Sequence, residues 1–302
     1  MTRRNFISTS CAAVAAPQVH AFGASVKLSL SVRVAEEFFN QEKSTMTLDQ
    51  LIAMARKYRF AALCMRASQL GVQTSPELLS EAKRKISAAG LNVSMATTNF
   101  AVPSNNDQGP DLLRNITPHL DLAEALGADL IRVCMKKEDD IPAAQRASDQ
   151  ARERRIRLAH QSHFASLFET VENSLRVLKA VGRPNFGIIY EPANWLATGQ
   201  NYGRDTLRKL QPYLFNVYVQ NHRLTPDGKA ALVTWNRGKV ALEHIGIWEK
   251  GGVDYEEVAA GLREVDYSGY VTIHQAFGDV MPVDEAVRRS REYLGRILPV
   301  KA

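Results

Sequence analysis

Cysteine is scarce in this chain, long apolar runs are missing, and like charges do not gather in blocks. Three cysteines in 302 residues make no disulfide framework. Cys11 falls in the opening segment, Cys64 and Cys134 lie inside apolar strand-like runs, and no Cys-x-x-Cys or Cys/His zinc spacing occurs. No stretch reaches the roughly 18 unbroken apolar residues that a spanning helix needs, so no membrane span is expected in the mature chain. The formal charge of +6 is dispersed: acids interrupt bases in Arg152-Glu153-Arg154-Arg155 and in Lys136-Lys137-Glu138-Asp139-Asp140. A basic stripe with interleaved aromatics is absent, which argues against nucleic acid as a partner. A glycine-rich phosphate loop is absent after the first strand-like run, which argues against a doubly wound dinucleotide fold.

What is there begins with Thr2-Arg3-Arg4-Asn5-Phe6-Ile7, a small-residue apolar run through Ala16, and small-x-small sites near Ala21 and Ala24. This pattern reads as a twin-arginine export signal over residues 1–24, leaving a periplasmic or otherwise exported chain of residues 25–302. Removing Arg3 and Arg4 leaves 36 basic against 32 acidic residues, a net +4. Strand-like runs follow at 26–32, 60–65, 91–95, 130–134, 156–159, 186–190, 214–219 and 270–273. Helical spacing separates most of them, with Thr47 as a cap, Pro76 opening a helix, and Gly90 and Gly127 ending two. No Pro/Gly/Ser-rich linker divides the series. Eight such units in about 275 residues predict a single (β/α)8 TIM barrel. Two connections are long, residues 97–110 and 220–252, and the second carries His222, Trp235, His244 and Trp248, polar and aromatic material suited to covering a sugar ring.

In such a barrel the carboxyl ends of the strands build the active face. The region 157–194, RLAHQSHFASLFETVENSLRVLKAVGRPNFGIIYEPAN, places Gln161, His163 and Glu191 there. Alternation with period two turns Gln161 and His163 one way and His160 the other, aligns Tyr218, Gln220 and His222, and aligns Thr272 with His274. The predicted mouth is a polar, histidine-rich cup. Imidazoles with a carboxylate suit a divalent ion, and Glu191, His274 and Gln161 are its candidate ligands. His163, His222 and Glu191 are the candidate proton-moving groups. Arg33, Arg66, Arg132, Trp195, Tyr218 and Gln220 are placed to bind substrate, with Trp195 stacking on a ring.

The stretches RLAHQSH, ETVENSLRVLKAVGRPNFGIIYEPAN, LFNVYVQNHR and HIGIWEKGGVDYEEVAAGLREVDYSGYVTIHQ resemble the xylose isomerase-like barrel family of sugar phosphate isomerases and epimerases. That resemblance implies a (β/α)8 barrel, a divalent metal (Mn, Zn, Co or Mg) held by a Glu-Asp-His-Glu quartet, and proton transfer by two glutamates. Here the quartet positions are Gln161, Glu191, Tyr218 (with Gln220 two residues on) and His274, so the two-carboxylate mechanism cannot run unchanged, because an amide is no base. The expected activity is isomerisation or epimerisation of a free sugar or sugar derivative. The alternatives are a lyase or hydrolase of oxidised (keto) glycosides and a catalytically silent sugar-binding barrel. The partner expected is a small-molecule carbohydrate, with a homo-oligomer left open.

Overall fold

The computed structural model describes residues 25–37, 40–278 and 280–301. The export signal expected over residues 1–24 lies outside them. Eight parallel strands close a barrel: β1 (Lys27–Ser31), β2 (Ala62–Arg66), β3 (Asn92–Thr97), β4 (Leu130–Val133), β5 (Arg157–Gln161), β6 (Phe186–Tyr190), β7 (Leu214–Val219) and the last barrel strand, Tyr270–Ile273, which pairs with both β1 and β7. The strands are adjacent in chain order around the ring, as right-handed βα crossovers require. Three further strands, β8 (His222–Leu224), β9 (Ala230–Thr234) and β10 (Gly238–His244), form a separate antiparallel sheet with β10 in the middle. Tyr270–Ile273 is therefore β11. The expected loop over 220–252 is thus a three-stranded cover.

The surrounding helices are punctuated as their sequences dictate. In α1 (Leu48–Lys57), Thr47 and Gln50 form a reciprocal capping box. The next helix, α2 (Pro76–Ala88), is capped by Ser75 with proline in its first turn. Between β3 and β4 lie a short turn, α3 (Ala101–Ser104), and α4 (Thr117–Leu126), which Gly127 ends at φ +73. After these come α5 (Asp140–Glu153), α6 (Val171–Val181), α7 (Pro192–Ala197), α8 (Arg204–Leu210), α9 (Tyr255–Glu264) and α10 (Val283–Ile297). A helix of eleven residues such as α6 is marginal alone. It is held by Val177, Leu178 and Val181, which face the core and contribute roughly 1.5–3 kcal/mol each when fully buried.

Strand alternation sorts two cores. Outward residues such as Ile188, Tyr190, Val217 and Val219 pack under the helices in one large cluster. Inward residues Cys64, Met95, Leu130, Ala159, Ile189 and Tyr218 form a second cluster inside the barrel. Two residues further along each strand the same inward columns reach Arg66, Thr97, Arg132, Gln161, Glu191 and Gln220. The apolar plug therefore stops one layer below the carboxyl ends, and a polar layer begins.

Candidate active site

That polar layer opens into a cavity of about 90 Å³ at the barrel mouth. Arg33, Arg66, Arg132, Gln161, His163, Gln220, His222 and His274, all expected there, line it together with Gln41, Asn194 and His244. Pro103, Phe164, Leu232 and Leu242 complete its wall, the last two supplied by β9 and β10. The cover is fastened by a buried carboxylate: Glu169, just before α6, accepts the N–H groups of Ala165 at 2.6 Å, Trp235 at 2.8 Å and Asn236 at 2.7 Å.

Three guanidinium groups approach the cavity from three strand ends. After β1 the chain makes a 3₁₀ turn, Val32–Ala35, which brings Arg33 back onto Glu36 at 3.3 Å. Arg66, at the end of β2, gives Nε to the other oxygen of Glu36 at 2.8 Å and Nη2 to Gln41 at 3.0 Å. Burial raises the pKa of Glu36, but the charge and hydrogen bonds of Arg66 outweigh it and hold the carboxyl low. Arg132, at the second-last position of β4, has one weak protein partner, the carbonyl of Val102 at 3.4 Å. Burial lowers the pKa of Arg132, with Arg66 adding to the effect.

Three imidazoles of this mouth, His163, His222 and His274, are held neutral. Burial first, then the charge of Arg132, pulls His163 down to about 3. His222 is brought to about 4 by burial and by His244, and His274 falls well below its ordinary value by burial and by Arg66, Arg132 and Arg33. His163 Nδ1 lies 2.9 Å from the carbonyl of Phe164. A carbonyl only accepts, so Nδ1 carries the proton and Nε2 keeps the basic lone pair. His274 stacks on Tyr218 with centroids 3.7 Å apart, and its Nδ1 bonds Ser31 Oγ at 3.0 Å.

Several expected roles are corrected by these positions. Trp195 is fully buried in the outer core, edge-on to Tyr190 and bonded through Nε1 to the carbonyl of Phe168, so it cannot stack on a substrate. It belongs to the outer cluster with Tyr190 and Phe168, on the side of α7 away from Asn194 and the cavity. Tyr218 belongs to the apolar plug, its hydroxyl 3.4 Å from Cys64 Sγ beneath His274, and supports the site without lining it. Trp235 stands exposed on the cover and Trp248 lies under Arg289, so neither of them roofs the cavity. Glu191 is fully buried below Gln161 and Asn194: its Oε2 accepts from Asn194 at 2.8 Å and from Gln161 Nε2. Burial raises its carboxyl to about 8 against the opposing pull of Arg132, Arg33 and Arg66. Glu191 does not itself line the cavity. Sequence reading also missed Asn194, although its place one helical turn after Glu191 was a signal for it.

The family profile for xylose isomerase-like TIM barrels matches residues 52–297. The chain belongs to that family. No functionally curated protein matches it significantly. Among solved structures, the barrel is similar to the probable 3-DHS dehydratase AsbF of Bacillus anthracis (TM-score 0.67, 14% identity, 89% of this chain and 99% of that one). It is similar as well to the D-allulose 3-epimerase from Methylomonas sp. in complex with D-allulose (TM-score 0.65, 15% identity, 92% and 99%). A third similar structure is a xylose isomerase-like TIM barrel protein from Mycobacterium smegmatis in complex with magnesium (TM-score 0.65, 14% identity, 91% and 97%). At these identities the likeness is one of fold.

The residues of this member do not fit a divalent cation. Gln161 and Glu191 are bonded to each other, Glu191 is held towards its neutral acid, and His274 is turned onto Tyr218 and Ser31. Among the described residues no group of three His, Cys, Asp or Glu side chains converges on one point, while three guanidinium groups oppose a cation there. The expected ligands Glu191, Gln161 and His274 are thus engaged with one another or with Asn194, Tyr218 and Ser31.

Proposed function

We propose that this barrel is a sugar-processing enzyme that moves a proton at a carbon next to a carbonyl of a free sugar or sugar derivative, as isomerases and epimerases do. The observation that carries the reading is the cavity itself, in which His163, His222 and His274, all held neutral, face guanidinium groups in one small space. A neutral imidazole accepts a proton, which a charged one cannot. His163 Nε2 takes the proton from carbon and the electron pair passes to the carbonyl oxygen, where the positive field of the guanidinium cluster stabilises the enolate as it forms. Return of the proton from His163 to the neighbouring carbon, with that carbon's hydroxyl proton passing to the enolate oxygen, gives the isomer, and its return to the opposite face of the original carbon gives the epimer. The similar D-allulose epimerase supports a sugar as substrate.

Elimination is the second reading, favoured by a base set lacking the two carboxylates of the resemblance: expulsion of a β-hydroxyl or glycosyl oxygen from the same enolate gives a dehydratase or lyase, and AsbF is named as a probable dehydratase. Incubating the protein with sugars and keto-sugars in D2O and following carbon-bound hydrogen by NMR tests both. Exchange without loss of a group supports the first reading, and exchange with loss supports the second. Binding with no exchange in any compound leaves a silent sugar-binding barrel. Export through the twin-arginine route belongs to the same proposal, supported by Arg3-Arg4 and the apolar run behind them. Paired Arg3→Lys and Arg4→Lys substitutions should retain the chain in the cytoplasm, and unchanged fractionation would remove that element.

A further inference from the structure

The guanidinium groups at the mouth are more than the protein's own carboxylates use. Glu36 is shared between Arg33 and Arg66, its Oε1 taken by Arg66 Nε and Ser68 Oγ and its Oε2 by Arg33 Nη1. Arg66 is 1% exposed, yet its Nη1 has no hydrogen-bond partner. Arg132 is 2% exposed, makes no salt bridge among the described residues, and its Nε has no partner either. Both side chains line the cavity. Leaving a buried cation without an anion is among the costliest arrangements a fold can hold, and a planar guanidinium with unused N–H groups matches a carboxylate in two-point geometry.

From these two unpartnered guanidinium edges we infer that the substrate carries a carboxylate, that of a sugar acid, which Arg132 and Arg66 bind at the barrel mouth. One negative charge suffices, because Glu36 already offsets part of the cluster. The helix that follows Glu191, α7, is six residues long with proline in its first turn, so it gives a phosphate no full set of N-terminal N–H groups. The inference names the substrate class of the proton-transfer site proposed above and rests on that reading only for what happens after binding.

Calorimetric titration of the purified protein with D-glucuronate and D-galacturonate, beside D-glucose, D-galactose and D-glucose 6-phosphate, tests it. The expected result is binding of at least one uronate about tenfold or more tighter than its neutral parent, with that preference lost in Arg132→Gln and partly kept in Arg132→Lys. Equal affinity for acids and neutral sugars, preference for the phosphate ester, or an undiminished uronate preference in Arg132→Gln would overturn the inference. Should Arg132→Gln not fold, as judged by circular dichroism, Arg66→Lys and the wild-type ligand series decide. Uronate binding without carbon-hydrogen exchange in D2O leaves the carboxylate site standing and removes the proton-transfer reading; exchange confined to neutral sugars does the reverse.

Discussion

Replacing Glu191 with glutamine should make the protein more stable at neutral pH and flatten its pH dependence. The carboxyl is completely buried, and burial lifts it from 4.5 to about 8 although Arg132, Arg33 and Arg66 all favour the ionised form. Between those values the folded protein keeps a proton that the unfolded chain has released, so this group's contribution to stability is present at low pH and lost as pH rises through the window. At about 1.4 kcal/mol per pH unit, wild type should lose about 2–3 kcal/mol relative to Glu191→Gln between about pH 5 and about pH 7.5, the lower figure allowing for water entering as the charge develops. Glutamine copies the shape of the neutral acid, and its carbonyl still accepts from Asn194 Nδ2, so little packing changes. Urea unfolding followed by tryptophan fluorescence at four pH values measures the difference. Parallel curves, or a wild type that gains on the variant as pH rises, would refute an acid kept neutral by burial.

Other outcomes follow from the same geometry. His163→Asn should lower carbon-hydrogen exchange by about 100-fold or more with an unchanged circular dichroism spectrum, because Nε2 of that ring is the proposed base. With His163 at about 3 and His222 at about 4, the imidazoles stay neutral above pH 5, so wild-type exchange should keep its rate from about pH 7 down to about pH 5. A rate that halves near pH 6.5 would indicate an ordinary solvated histidine. Glu169→Gln removes the charge that gathers the N–H groups of Ala165, Trp235 and Asn236, and should cost roughly 1.5–3 kcal/mol locally, seen as faster amide exchange in β9 and β10 without a matching change in β5 or β6.

The barrel was legible because its strands are short apolar runs with punctuated helices between them; the expected bounds 186–190, 214–219 and 270–273 coincide with β6, β7 and β11. Alternation also carried Gln161, His163, Gln220, His222 and His274 to the cavity, since side-chain direction within a strand is a local property. What local pattern cannot carry is depth and company. Trp195 and Tyr218 lie beside the right strands but on the wrong side of the wall or one layer too deep. The strands of the cover were hidden because β9 is five residues long with mixed exposed and half-buried positions, and β10 sets Val240 and Leu242 among glycine and charge. Arg33 meets Glu36 within its own turn, but the share of Glu36 that Arg66 takes depends on β1 lying beside β2, and among the described residues Arg132 on β4 forms no salt bridge.

The central claim is that neutral imidazoles beside the guanidinium groups of the cavity perform the proposed proton transfer without a resident cation. Its most direct test is the hydrogen exchange of a uronate in D2O, run with protein dialysed against a strong chelator. The account predicts that the hydrogen beside the carbonyl is replaced by deuterium at the same rate before and after chelation. Exchange that stops on chelation and returns with added magnesium or zinc would contradict it.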